Sequence, residues 1–407
     1  MANNTTRNIT YPTSGDSITP LETVFATLAS TTDAAMGNLD AGDIKTGALA
    51  IARGGTGATT AAAALTALGG VSSEGYNVAG KNKLINADFN IWQRSGSGTT
   101  SISTTGYFPD RWRYVLANGS SKVFTQSRQT FTPGNQPEAG YEGKYFYRIA
   151  VTTAGSGYTA EYIEQPIEDV RTLAGKKVVV SFWAKVSSGT MTLTPQLVQN
   201  FGTGGSSAVT SSFTAQSVGT SWTRFTATLT TTEAKVPNLA GKTVGTAGDD
   251  YLALRLVMPN NTIQTLDIWG VQLEEGTTAT RFNINGVNQR DELASCQRYY
   301  YRLQADAVGL RFGMGSAIST GSANFVQPFP VTMRTKPAAI ETTGTASDYR
   351  ILNASGASVA ASSVPAFVNA TPNSTSFTIA STYTAAGNAV IWASAASTAY
   401  LAWSAEF

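Results

Sequence analysis

The sequence contains no histidine. That removes the side chain most used as a general base and metal ligand, and with it any Ser-His-Asp arrangement. Cys296 is the single cysteine, so neither an intrachain disulfide nor a cysteine-rich metal site can form. Alone, it reads as a small buried hydrophobe. Charge is scarce as well, with 13% of residues Asp, Glu, Lys or Arg against roughly 25% in ordinary soluble domains. The two signs nearly cancel, 28 basic against 26 acidic, which leaves no electrostatic footprint for nucleic acid or an acidic membrane. No apolar run reaches the ~18 residues of a membrane span. The opening MANNTTRNIT lacks the basic-then-apolar layout of a signal peptide. The expectation is a soluble chain made in the cytoplasm without Sec-type export.

Ser, Thr, Asn and Gly supply the polarity that charge does not. Near the start, Leu21, Val24, Phe25 and Leu28 recur at i, i+3, i+4 and i+7, one face of a helix. Ser17, Thr19 and Pro20 precede them as a start signal. Residues 31–80 carry too few large side chains to build a core. From about Lys81 the texture changes to short alternating runs. Tyr145, Tyr147, Ile149 and Val151 share one face, as do Val178, Val180, Phe182, Ala184 and Val186, and again Leu252, Leu254, Leu256 and Met258. Period two at this frequency, with turn residues between, predicts an antiparallel sandwich over 81–285. The charged stretch NQRDELASCQRYY, with Leu293 and Cys296 or Gln297 at helical spacing, predicts a linking helix within 286–304. Strand patterns resume over 305–407 and end on the apolar Leu401, Trp403 and Phe407.

The glycine-rich stretch Ile51–Gly70, IARGGTGATTAAAALTALGG, could suggest a phosphate loop. Gly54, Gly55 and Gly57 do not complete G-x-G-x-x-G, since Thr60 stands where the third glycine belongs. No Gly-Lys-Ser/Thr follows either, so the nucleotide reading fails. What remains is a flexible turn and a short Ala-rich helix with Leu65 and Leu68 on one side. Alanine on successive faces lets neighbouring backbones approach closely, which suits a narrow symmetric bundle.

Carboxylate chemistry finds little support. Glycoside hydrolysis needs two acids facing each other at about 5–10 Å, and adjacent strand residues such as Glu274 and Glu275 point to opposite faces. Glu161, Glu164 and Glu168 lie close in sequence, and the remaining acids are ordinary in number and unremarkable in spacing. Seven Trp and sixteen Tyr among short polar residues suit sugar recognition instead: rings stack on C–H faces and short polar groups read hydroxyls. Trp183, Arg224, Tyr251 and Arg255 fall on the polar faces of predicted strands, with Gln165 just ahead of one, and together define a candidate face. The alternative is that Trp183 and Tyr251 cover the sandwich edge or a subunit contact.

Several segments resemble bacteriophage tail-fibre proteins. The run Gly54–Ala62 resembles a Gly-Gly-Thr-Gly-Ala-Thr-Thr-Ala-Ala segment recurrent in them. NKLINADFNIWQRSGS and GYFPDRWRY look like the opening of a fibre β-sandwich related to carbohydrate-binding modules, and IEQPIEDVRTLAGKKVVVSFWAKVSSG and LDIWGVQLEEGTTATRF its middle and last strands. CQRYYYRL, FPVTMRTKPA and LAWSAEF are similar to a terminal β domain of such fibres. The resemblance implies a mainly β homotrimer: a virion-attachment segment (1–30), a neck (31–80), a jelly-roll sandwich (81–285), a linking helix (286–304) and a β-sandwich tip (305–407). It implies a place in the virion on a tail or related appendage, a second virion protein holding the N-terminus, and adhesion to a host surface glycan without catalysis. A purely structural appendage and a polysaccharide depolymerase are the alternatives. Modules of this type commonly hold one structural Ca²⁺, and Asp88 and Asp267 lie in the matching stretches, although Ala87 departs from the usual Asn-Gly-Asp.

Overall fold

The computed structural model describes residues 2–4, 9–11, 21–37, 60, 63–64, 79–94, 99–101, 106–138, 141–353, 357–382, 387 and 389–407. Contacts divide the chain into two units, Met1–Tyr76 and Asn77–Phe407. The protein is mainly β, with antiparallel sheets throughout the second unit.

In the first unit, β1 (Ala2–Asn4) pairs with β2 (Ile9–Tyr11), and α1 spans Leu21–Gly37. The helix therefore runs beyond residue 30, into the stretch expected to be neck. Its threonines are accommodated by hydroxyls that turn back onto the preceding turn: Thr27 donates to the Thr23 carbonyl at 2.7 Å and Thr31 to that of Thr27 at 2.8 Å. Phe25 is 60% exposed and Leu28 half-buried. The side chains of Leu21 and Val24 lie outside the described residues, as do the neck positions Gly54, Gly55, Gly57, Leu65 and Leu68.

The second unit opens with β3 (Thr99–Ser101), β4 (Gly106–Tyr107), β5 (Arg113–Ala117), β6 (Val123–Thr130) and β7 (Tyr145–Thr153). There follow β8 (Ala160–Glu168), β9 (Val178–Val186), β10 (Met191–Asn200), β11 (Val209–Ser212) and β12 (Gln216–Val218). The sandwich closes with β13 (Thr223–Thr228), β14 (Tyr251–Val257) and β15 (Thr265–Glu275). Among the described residues these form a six-stranded sheet, β13-β9-β15-β7-β6-β3, and a seven-stranded one, β11-β10-β14-β8-β5-β4 with β12 on β10. The alternation read from the sequence is the alternation in space. Val178, Val180, Phe182 and Ala184 face Leu252, Leu254 and Leu256 across a core in which each is at most 1% exposed.

The six-stranded sheet is covered on its outer face too. Residues after β15 fold back over it: Thr280 donates its amide to Glu274 Oε1 at 2.8 Å, Asn283 its amide to Gln272 Oε1 at 2.8 Å, and Phe282 packs on Trp269 at 4.9 Å. A bulge between Trp269 and Gln272 places Gly270 at φ +63°, where a Cβ would sit 3.0 Å from the Trp183 ring. Two aromatic layers thus sandwich this one sheet.

Helix α2 (Gln289–Gln297) is capped by Asn288, whose side chain accepts from Arg290 and Asp291 amides. It is shorter than the expected linker, because Tyr300–Gln304 is already strand β16 of the tip. Its inward face is Glu292 and Cys296, while Leu293 is 37% exposed. Glu292 earns that burial by accepting the amides of Asn86 and Gly286, each at 2.6 Å. The tip continues with β17 (Arg311–Ala317), β18 (Ser322–Pro328), β19 (Glu341–Thr342), β20 (Tyr349–Asn353), β21 (Ser358–Ala360), β22 (Ala366–Ala370), β23 (Ser374–Ala380), β24 (Ala389–Ser394) and β25 (Tyr400–Ser404). They make a three-stranded sheet, β16-β25-β19, and a seven-stranded one, β21-β20-β24-β17-β18-β23-β22. Leu401 and Trp403 are fully buried in the tip core.

Sandwich and tip share a joint built from guanidinium planes on aromatic rings. Arg94 lies 3.8 Å from the Tyr300 centroid and Arg111 3.3 Å from that of Tyr299. Both arginines also pair with Glu406. Arg298 grips Glu168 with two hydrogen bonds of 2.7 and 2.8 Å.

Candidate functional site

The outer face of the seven-stranded sandwich sheet is the part of this domain that stays partly open. Successive residues of a strand alternate faces, so the register decides what meets there. Tyr107, Arg113, Glu164, Arg255, Gln196 and Ser212 stand opposite one another in a single row across β4, β5, β8, β14, β10 and β11. A parallel row holds Val115, Tyr162, Val257 and Thr194. Except for Glu164, these residues are half-buried.

The electrostatics of the row are self-contained. The Glu164 carboxylate is fully buried and receives Arg113 Nε and Arg255 Nε, each at 2.5 Å. Arg255 in turn lies over the Tyr162 ring, 4.4 Å from its centroid. Burial and the neighbouring Glu164 raise the Tyr162 hydroxyl pKa, so it stays protonated and able to donate. Two guanidiniums locked to one carboxylate give planar donors whose position is fixed before any ligand arrives. Beside them, Thr194 and the Gln196 amide, 3.4 Å from Ser212 Oγ, present hydroxyl and amide groups. The arrangement offers a guanidinium–ring stack, Arg255 on Tyr162, with the hydroxyl of Thr194 and the amide of Gln196 across β14 from Tyr162.

The five residues singled out from the sequence do not form one face. Tyr251 and Arg255 are on the open sheet, four residues apart on β14. Trp183 and Arg224 are register partners on the other sheet, beneath the returning segment. Trp183 is 4% exposed, packs on Trp269 at 5.4 Å and is covered by Arg224 at 4.8 Å, while Arg224 donates to the Thr280 carbonyl. Gln165 points inward from β8 and is 1% exposed. It accepts the Ile85 amide and donates to the Ile85 carbonyl, both at 2.7 Å, which latches the opening loop to the sheet. A buried polar side chain keeps its place only with such partners. Sequence reasoning missed Tyr162, Arg113, Thr194 and Gln196. The signal for Tyr162 and Glu164 was their period-two spacing in AEYIEQPIE, masked by the inward Gln165.

The other acids are also engaged. Glu161 is buried against Lys122 Nζ at 2.5 Å and Tyr114, and Glu274 accepts from Thr280 and Gln272. Calcium does not fit the pair of aspartates the resemblance suggested. Asp267 accepts two bonds from Arg148, at 2.6 and 2.8 Å, with Lys185 Nζ at 3.7 Å, so two cations already balance it. Asp88 is fully buried and occupied by donors from Asn90 and Gln289, each at 2.6 Å, and by the Tyr141 hydroxyl at 3.2 Å. No group of three or more His, Cys, Asp or Glu among the described residues is placed to hold a metal. Nor is any described helix long and apolar enough to cross a membrane. Cys296 is fully buried, which pushes its thiol pKa well up.

No protein-family model and no curated protein sequence matches the chain. Solved structures similar to part of it include a family 11 carbohydrate-binding module from Clostridium thermocellum in complex with a β-1,3-1,4-mixed-linked tetrasaccharide. That likeness has 10% identity and a TM-score of 0.27, over 46% of this chain and 100% of the module. The CBM22-2 xylan-binding domain of Paenibacillus barcinonensis Xyn10C is similar at 14% identity and TM-score 0.27, over 47% of this chain and 97% of its own. The enzymatically active domain of tailspike protein 4 from bacteriophage CBA120 is similar at 16% identity and TM-score 0.29, over 51% of this chain and 24% of that one. Likenesses of this size assign no ligand, so the functional reading stands on the residues.

Proposed function

We propose that this chain is a virion fibre protein that adheres to a host surface polysaccharide and performs no catalysis on it. The observation that carries the glycan reading is the half-open face of the seven-stranded sheet, where Arg255 lies over Tyr162 while Gln196 stands opposite Arg255 and Thr194 opposite Val257. A guanidinium–ring stack with hydrogen-bonding groups across the strand suits a sugar, and a chain with so little net charge makes contact by stacking and hydrogen bonds. The resemblance of Ile51–Gly70 and of the sandwich segments to phage fibres supports the virion setting. The exposed Phe25 on α1 supports a partner at the N-terminal unit, where another virion protein would hold the fibre. Three copies of a weak site then add avidity through effective concentration.

The test is binding of the full-length protein to an array of bacterial capsular and O-antigen polysaccharides, with the size of each polysaccharide followed over time. Binding without shortening is expected, weakened about tenfold or more in Tyr162→Ala. Absence of binding across the array overturns the adhesion reading, and shortened chains overturn the non-catalytic one.

A further inference from the structure

We propose a second carbohydrate pocket where the sandwich meets the tip, between the Tyr251 and Phe407 rings and the Asp249 carboxylate, that takes one neutral hexose-type unit. It rests on the polysaccharide reading above and adds a separate contact point to it. The cleft has a volume of about 410 Å³, within the range of small-molecule sites.

The rim is built by a close backbone approach. Gly202 has φ +74°, and a Cβ there would lie 2.5 Å from Asp249 Oδ1, so only glycine lets the two loops meet. Their meeting allows Thr203 to clamp Asp249, amide to Oδ1 at 2.9 Å and hydroxyl to Oδ2 at 2.6 Å. These bonds lower the Asp249 pKa and keep it ionised, while both oxygens retain accepting capacity. Asn200 stands opposite Tyr251 in the ladder, and its Oδ1 is spent on the Gly202 amide at 2.9 Å. Its Nδ2 faces no acceptor among the described residues and is left to donate.

The wall is aromatic. The Tyr251 and Phe407 ring centroids are 5.1 Å apart, with planes inclined at 58°. Arg334 also lines the cleft, 4.0 Å from the Phe407 centroid, and donates to the Ala405, Glu406 and Gly248 carbonyls at 2.8, 2.7 and 3.3 Å. Those bonds tie the chain's last residues to the loop that carries Asp249. They engage one N–H on each guanidinium nitrogen, while the guanidinium keeps its charge within electrostatic reach of Asp249, so the two charges offset each other and the mouth has no net charge to favour an anionic sugar. An apolar wall for C–H faces, an acceptor and a donor for neighbouring hydroxyls, and a mouth whose two opposite charges offset together suit a neutral hexose. Tyr251 lies four residues from Arg255 on β14, about 13 Å at the rise of a strand, so one polymer can span both places.

The experiment is saturation-transfer NMR on the full-length protein, with methyl α-D-glucopyranoside, methyl β-D-galactopyranoside, methyl α-D-mannopyranoside and methyl β-D-glucuronoside as separate probes. At least one neutral glycoside should receive saturation and the glucuronoside much less. Asp249→Ala and Asn200→Ala should each reduce the signal about tenfold. Two variants are needed because losing the Thr203 clamp could loosen the loop in the first. Signal that survives in both variants, or no signal from any neutral probe, overturns the pocket. Retained polysaccharide binding in that case leaves the open-face reading standing, and loss of polysaccharide binding in the wild type brings both down.

Discussion

Arg255 on β14 and Glu164 on β8 stand opposite each other in the ladder, and Arg255 Nε donates to Glu164 Oε2 at 2.5 Å. Arg113 approaches the same carboxylate from β5. Glu164→Gln would leave two guanidiniums facing a neutral amide. The expected loss is about 3 kcal/mol, the low end for breaking a buried pair because both arginines keep some contact with water. Urea denaturation measures it, and an unchanged midpoint would mean the carboxylate contributes nothing to the sheet.

Trp183 belongs to the aromatic layer under the returning segment. Trp183→Ala should cost about 3–5 kcal/mol, as for other large core truncations. At a temperature where that variant stays folded, polysaccharide binding should equal wild type. Reduced binding by a folded Trp183→Ala protein would return this residue to the site.

Arg111 and Glu406 tie the sandwich to the tip, and their side chains are 1% and 5% exposed. Glu406→Gln strands a buried guanidinium, at an expected cost of about 3–5 kcal/mol. Calorimetry should show its unfolding transition shifted downward. A wild-type melting curve in the variant would rule out the pairing.

Burial raises the pKa of Asp88 and of Glu292, which lies within electrostatic reach of it. An acid whose folded pKa exceeds its unfolded value makes the native state bind the extra proton, so stability falls as pH rises from the ordinary carboxylate range toward the folded pKa. Glu168 acts oppositely: burial opposes ionisation, but the hydrogen bonds from Arg298 and Tyr299 lower its pKa. Its contribution is lost as pH falls through the folded pKa. Asp88→Asn should therefore flatten the decline in stability as pH rises above the ordinary carboxylate range, about pH 4. Equilibrium unfolding at a series of pH values reads this directly, and an unaltered slope would assign the decline elsewhere.

The strands that bury one face were legible because alternation survives in their sequence, as in Leu252, Leu254 and Leu256. Trp183 was misplaced for a reason the pattern could not contain. Its side of β9 is polar enough to read as solvent-facing, yet residues 279–285, distant in sequence, cover it. Gln165 failed in the reverse sense, as a polar side chain at an inward position, stabilised there by the Ile85 backbone. The extent of α2 was overread because RYYYRL has helix-compatible residues, whereas pairing with β25 makes Tyr300–Gln304 a strand. The open row was invisible strand by strand, since it exists only through the registers of β5, β8, β14 and β10.

The joint of stacked planes, Arg94 on Tyr300 and Arg111 on Tyr299, has a mechanical meaning. A hinge needs a segment free to change its dihedrals, and here the connecting residues are themselves the stacked ones. Under the proposed adhesion, a pull on a sugar held at either half would reach the other as shear across packed planes. The two halves would then bear load together, and the strength of the proposed attachment would be set by how many sugars let go together.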